Sequence, residues 1–194
     1  MARKSSTPER VAEGEVRPTV WTIGHSTRTS KEFVALLRAH RITRVVDVRK
    51  LPGSRRHPQF NQTELAATLA AEGILYSHLP GLGGLRRGVE NSPNGAWRNK
   101  SFRAFADYMQ TDAFQAALRP VLEWAVSERP ALMCAEAVPW QCHRSLIADA
   151  LVAAEVPVWH IMTATRADQH QLREWAVVQN GRVCYPADQR SLDL

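Results

Sequence analysis

No long apolar run occurs in this sequence. No stretch approaches the ~18 residues that a membrane-spanning helix needs. The segment from Met1 to Val16 is hydrophilic and has no apolar core of a secretory signal. A cytosolic location is therefore expected. Cysteine is scarce and odd in number, with three in all, Cys134, Cys142 and Cys184. Such a chain is not a disulfide-stapled scaffold, and in a reducing compartment its cysteines serve as core, metal-binding or catalytic groups. Glycine (10) and proline (11) are too few for a collagen-like or low-complexity chain. No dinucleotide fingerprint and no Walker-type loop is present, which excludes nicotinamide and flavin cofactors. No internal repeat is visible.

The 194 residues are 44% hydrophobic, enough for one sizeable core and one domain. The net charge is +6 and unevenly spread. From Arg41 to Phe60 six Lys or Arg stand against one Asp, and from Gly84 to Arg103 five stand against one Glu. The other residues sum to a slight acidic excess. Two short segments thus carry the whole positive field, which suits an anionic ligand: a phosphate, a nucleotide or nucleic acid. The plainer reading is two solvated loops kept soluble by arginine.

Apolar, β-branched runs separated by amphipathic stretches set the organisation. Strands are expected at Val20–Ile23, Ile42–Val48, Ile74–Leu79, Ala131–Cys134 and Val158–Ile161. Helices are expected from Ser30, as a cap, to about His40, then over Glu64–Glu72, Ser101–Met109, Asp112–Ser127, Cys142–Ala154 and Arg166–Val177. A small added strand is expected at Val183–Tyr185. This alternation reads as α/β: a single domain with a mainly parallel sheet of about five strands and helices on both faces. The domain is placed at 18–178, with a flexible tail at 1–17 and a C-terminal extension at 179–194. Ligands of such sheets bind beyond the carboxyl ends of the strands.

Those ends hold Gly24-His25-Ser26, Asp47 and Arg49, His78 and Gly83-Gly84, Cys134 and Glu136, and His160. The densest stretch is Cys134-x-Glu136 followed by Cys142-His143-Arg144. Together with Thr22–Ser26, Asp47-Val-Arg49 with Pro52 and Ser54, and Leu82–Gly84, it resembles the domain of unknown function 488 family, in order from about residue 20 to 165. The resemblance implies an α/β fold and a shared polar site made of Gly24, His25, Ser26, Asp47, Arg49, Gly83, Gly84, Cys134, Glu136, Cys142, His143 and Arg144. It implies no particular reaction.

The residues support several chemistries. Cys142, placed where a helix begins and next to His143 and Arg144, has the setting of a stabilised thiolate, with His25, His78 or His143 as its base. Its alternative role is packing against the sheet. Asp47 and Glu136 could act as an acid–base pair, or each could pair with Arg49 or Arg144. Gly24, Ser26, Arg49, Ser54, His78, Gly83, Gly84 and Arg144 are the candidate anion-binding residues. Trp97 and Trp140 either stack on a base or pack as lids. No cofactor is expected. Zinc or iron on Cys134 and Cys142 is a minor reading, because the Cys-x7-Cys spacing is neither a zinc pattern nor a redox Cys-x-x-Cys. The leading expectation is a hydrolase or group transferase acting on a phosphate-bearing, nucleotide or nucleic-acid substrate. A nucleic-acid or nucleotide binding module without catalysis and a metal-dependent hydrolase are the alternatives. The expected partner is a small anionic ligand or nucleic acid, and not a membrane.

Overall fold

The computed structural model describes residues 18–187. The tail expected at 1–17 and the chain from 188 onward lie outside the described residues. Five strands run parallel: β1 (Val20–Gly24), β2 (Arg44–Asp47), β3 (Leu75–His78), β4 (Pro130–Cys134) and β5 (Val158–Ile161). A sixth, β6 (Ala167–Gln169), adds antiparallel to β5. The order is β3-β2-β4-β1-β5-β6. All five residues of β4 are buried, as expected for a central strand covered on both faces.

Alternate strand residues feed two cores. Val46, Leu132 and Val158 pack beneath α3 (Lys100–Met109), α4 (Asp112–Ser127) and α5 (Arg144–Ala153), against Phe105, Phe114 and Leu146. Ile23, Val45, Met133 and Ile161 pack on the other face beneath α1 (Ser30–Ala39) and α2 (Gln62–Ala71), against Phe33 and Leu69. No helix is long and apolar enough to cross a membrane among the described residues.

Three local expectations are corrected. Helix α1 is capped by Thr29, not Ser30. The Thr29 hydroxyl accepts from the Glu32 N–H while the Glu32 carboxylate accepts from the Thr29 N–H at 2.7 Å, which is a capping box. Helix α5 starts at Arg144, because Cys142 is extended (φ −133°, ψ 144°) after a 3-10 turn at Pro139–Gln141. The helix expected at Arg166–Val177 is absent. Its first part pairs with the free edge of β5 as β6, and its end forms β7 (Val177–Gln179), which pairs with β8 (Arg182–Cys184). Asn180 and Gly181, at φ 51° and 72°, supply the two left-handed residues of that hairpin turn. The apolar spacing that mimicked a helix comes from Leu172 and Ala176, which pack on the α3–α5 side. Beyond β7, Val183 and Tyr185 are buried in the same core.

The order of the strands creates the site. The chain leaves β1 toward β2, but it leaves β4 in the opposite direction, crossing the end of β1 on its way to α5. The crossing is tight. His25 N–H donates to the Cys134 carbonyl and Ser26 N–H to the Ala135 carbonyl, both at 2.9 Å. A Cβ on Gly24 would lie 1.9 Å from the Glu136 carbonyl oxygen, so only glycine fits. Gly24→Ala is expected to destabilise the protein by about 2 kcal/mol, or roughly 4–8 °C in Tm, by overpacking at this crossing. Thermal denaturation of the variant checks this, and an unchanged Tm would contradict it.

Candidate functional site

The loop at 135–143, which follows β4, is gathered onto one guanidinium. Arg144 is 1% exposed. Its Nη2 donates to the Glu136 carbonyl at 2.6 Å and its Nε to Cys142 Sγ at 3.3 Å. Among the described residues no carboxylate is hydrogen-bonded or ion-paired to it. A buried cation without a counter-charge is costly, and the Cys142 sulfur is the group placed to supply one. Cys134, at the end of β4, faces the same sulfur. Interaction with that thiol is the largest of the influences that hold Cys142 well below the ordinary thiol range. Burial opposes the shift, while His143 and the charge of Arg144 add to it. The same interaction, joined by burial, pushes Cys134 up. The two sulfurs are thus shifted in opposite senses, Cys142 down and Cys134 up. The start of α5 adds the positive end of its dipole.

His143 completes the cluster. Its Nε2 donates to the Val48 carbonyl at 3.3 Å, which leaves Nδ1 facing Cys142 Sγ at 3.7 Å. Cys134, Cys142 and one ring nitrogen of His143 offer ligand atoms that all lie within 4.8 Å of one another. Tetrahedral zinc separates a sulfur and a nitrogen ligand by ~3.6 Å, so this set would also take a thiophilic divalent cation.

Asp47 does different work. It is fully buried and accepts from Arg49 N at 3.0 Å, Arg49 Nε at 2.9 Å, Arg49 Nη2 at 2.6 Å and Tyr76 Oη at 2.9 Å. Four hydrogen bonds use the lone pairs that acid–base chemistry would need. Arg49 also donates to the Phe60 carbonyl at 2.7 Å and approaches His25 Nε2 at 3.4 Å. His25 donates from Nδ1 to the Ser26 carbonyl at 2.9 Å and stacks on Phe60. Burial holds its imidazole down at about 4, against the pull of that carbonyl. His25 is thus neutral and faces a guanidinium. His78 Nε2 donates to the Arg49 carbonyl at 2.9 Å. Neither His25 nor His78 hydrogen-bonds Cys142; the histidine that does is His143.

A cleft of ≈ 400 Å³ lies over the sulfurs, walled by Arg49, Lys50, Gly84, Glu136, Cys142 and His143 among others. Glu136 is exposed at its mouth, and its backbone rather than its carboxylate takes Arg144. Gly84 lets its loop lie against His143, since a Cβ there would be 3.3 Å from Nδ1. Gly83 packs on the Lys50 backbone, and its N–H is spent on the Pro80 carbonyl. Arg86 folds back onto the Gly81 and Gly83 carbonyls and over the Tyr108 ring, so it braces this loop. Ser54 closes its own turn, taking the Asn61 carboxamide oxygen on its N–H and the His57 N–H on its hydroxyl. Ser26, at φ 50°, supports the crossing over β1. Trp97 packs among Phe102, Trp175 and Tyr185.

A second polar network escaped the sequence reading. Asp149, fully buried on α5, accepts from His170 Nε2 at 2.8 Å, from Tyr185 Oη at 2.6 Å and from Arg173. His170 Nδ1 meets His160 Nε2 at 2.9 Å, and His160 Nδ1 meets the Thr22 hydroxyl at 2.8 Å. Burial, with His170 next, lowers the His160 pKa to about 3. Arg173 also donates to Ser145 Oγ, which donates to the Cys142 carbonyl at 3.0 Å. Of these groups, Ser145, His160, His170 and Arg173 wall a second cavity of ≈ 320 Å³, together with the exposed Trp140. The signal was Asp149 on an otherwise apolar helix, since a buried carboxylate requires partners. Reading 166–177 as helix hid them.

The family described as Domain of unknown function DUF488 matches residues 29–151. No curated protein and no solved structure matches the chain.

The neutral buried histidines carry a pH consequence. With its pKa lowered from 6.5 to about 4, His25 takes up its proton later in the folded chain than in the unfolded one. Stability is then fully present above pH 6.5 and is lost as pH falls toward 4. Wild type is expected to lose Tm over this window, and His25→Gln to lose less. Parallel profiles for the two proteins would refute the assignment.

Proposed function

The chain belongs to the DUF488 family, and from that premise we propose that it is an enzyme that hydrolyses or transfers a group of a phosphate-bearing or nucleotide substrate, with Cys142 as its nucleophile. One observation carries the reading. The buried Arg144 meets the sulfur of Cys142 and, among the described residues, no carboxylate, so an ionised sulfur is what balances its charge in this reading. Cys134 lies beside the same sulfur, and His143 faces it with Nδ1 at 3.7 Å, in place to serve as the proton donor.

In this mechanism the Cys142 thiolate forms a bond to an electrophilic centre of the substrate. The leaving group departs with the proton from His143 Nδ1. The neutral His143 then takes a proton from water, or from an acceptor hydroxyl, which attacks the thio-adduct and restores the thiolate. Lys50 and the basic segments beside it draw the anion toward the cleft. The Asp47–Arg49–Tyr76 network positions this wall.

A second reading rests on the same cluster. The 3.7 Å between Cys142 Sγ and His143 Nδ1, with Nε2 anchored on a backbone carbonyl, is also the arrangement of a zinc-binding pair with its outer support. Cys134, Cys142 and His143 would then hold the ion with one position open to the cleft, and the protein would be a metal-dependent hydrolase.

Alkylation rate against pH separates the two. A thiolate nucleophile gives a Cys142-dependent reaction whose apparent pKa lies at least ~2 units below the ~8.5 of a free thiol. The reaction is lost in Cys142→Ser and kept in Cys184→Ser. Cys134→Ala raises that pKa and Cys134→Ser raises it less, because serine keeps a hydroxyl donor. An ordinary thiol pKa overturns the nucleophile. Stoichiometric metal in protein purified without added metal, and lost in Cys134→Ser, establishes the second reading in its place.

A further inference from the structure

The cleft has a rim whose chemistry the reaction alone does not use. Leu51 and Leu85 both line it, and they are 76% and 83% exposed. Leu85 adopts the left-handed conformation, at φ 58°, which is strained for a residue with a branched side chain. The chain thus holds a large aliphatic group in water at the mouth of the cleft. The same cleft is lined by hydrogen-bonding groups, Glu136 and Gln141, and by the two sulfurs. Such a slot fits a body with flat apolar faces and a polar edge, which describes a nucleobase.

The two segments that carry Leu51 and Leu85 also carry a run of cations. Lys50, Arg55 and Arg56 lie on one loop, Arg87 and Arg98 on the other, and Lys100 opens α3 where that second loop ends. All six are exposed and have no ion-pair partner among the described residues. Arg44 and Arg49, by contrast, are committed to Glu128 and Asp47, and Arg86 to backbone carbonyls. One mononucleotide could neutralise few of the six. Two free basic arms diverging from a single slot match successive phosphates of a strand. The slot is ≈ 400 Å³, the volume of one small ligand, so a base must enter it unpaired.

We infer that the substrate is an unpaired nucleic-acid strand, with one base seated between Leu51 and Leu85 and the flanking phosphates carried onto the loops around Arg55–Arg56 and Arg87–Lys100. The inference rests on the proposed enzyme for its chemistry but not for its binding.

Fluorescence anisotropy of a labelled ten-nucleotide oligothymidylate against the full chain, at 50–200 mM salt, tests it. Four phosphate contacts would give a slope of log K on log salt near −3, at ~0.7 per contact. Arg55→Ala with Arg56→Ala should flatten that slope by about 1.4. Leu51→Ala with Leu85→Ala should weaken binding about tenfold, the loss of one large apolar contact, with the slope unchanged. A duplex of the same length, and polyglutamate of matched charge, should compete poorly. Equal competition by either, or wild-type binding by both double variants, overturns the inference. A strand that binds while Cys142 titrates as an ordinary thiol removes the enzyme and leaves the binding surface. A Cys142 thiolate in a protein that binds no strand removes the surface and leaves the enzyme.

Discussion

The buried guanidinium of Arg144 is the constraint on which the rest depends. It sits at the first turn of α5, with one nitrogen on the Glu136 carbonyl and another on the Cys142 sulfur. A cation in that position fixes where the loop after β4 leaves the sheet and where it rejoins the helix. It also sets the charge of the group it touches, since taking a guanidinium out of water without an anion would cost several kcal/mol. Cys134 and His143 then decide how that anion is held. The Gly24 crossing is the steric side of the same arrangement: the loop can reach Arg144 only by lying directly on the end of β1.

The polar residues at the carboxyl edge divide between the two faces of the sheet. Asp47, Arg49, His25 and Phe60 form a closed network on the side of α1 and α2, where nearly every hydrogen-bonding position is taken. The sulfurs, His143 and Arg144 lie on the side of α3 and α5, beside the cleft. Chemical capacity follows unsatisfied valence. A carboxylate with four donors is a strut, whereas the Cys142 sulfur lies beside an imidazole and an open cavity and keeps lone pairs that no strut consumes.

Much of the fold was legible because parallel strands buried on both faces leave short apolar runs, as at Val158–Ile161 and the residues before Cys134. Helix α4 was legible to its ends, since Thr111-Asp112 caps it and its apolar face repeats regularly. The stretch after β5 was misread because periodicity does not distinguish a helix from an irregular segment whose Leu172 and Ala176 reach the same core. Strand ends gathered the right residue types at the right edge of the sheet. They did not reveal which face each side chain took, and that parity separates Cys134 from Asp47. The alternative of an ion pair between Glu136 and an arginine illustrates a further gap: Arg144 uses the backbone oxygen of that residue, which no sequence pattern encodes.

The Asp149 network gives the last part of the chain a hold on the first. Tyr185 and Arg173 close on a carboxylate of α5, and Arg173 continues through Ser145 to the carbonyl of Cys142. During synthesis the strands and helices up to Ile161 can emerge and pair while Asp149 still has none of these partners. Its burial becomes favourable only when residue 185 has left the ribosome. The support under the loop of Cys142 is thus completed only by residues that follow the parallel sheet in sequence, and the nascent chain passes through a stage in which that sheet exists but the carboxylate of Asp149 has no partner.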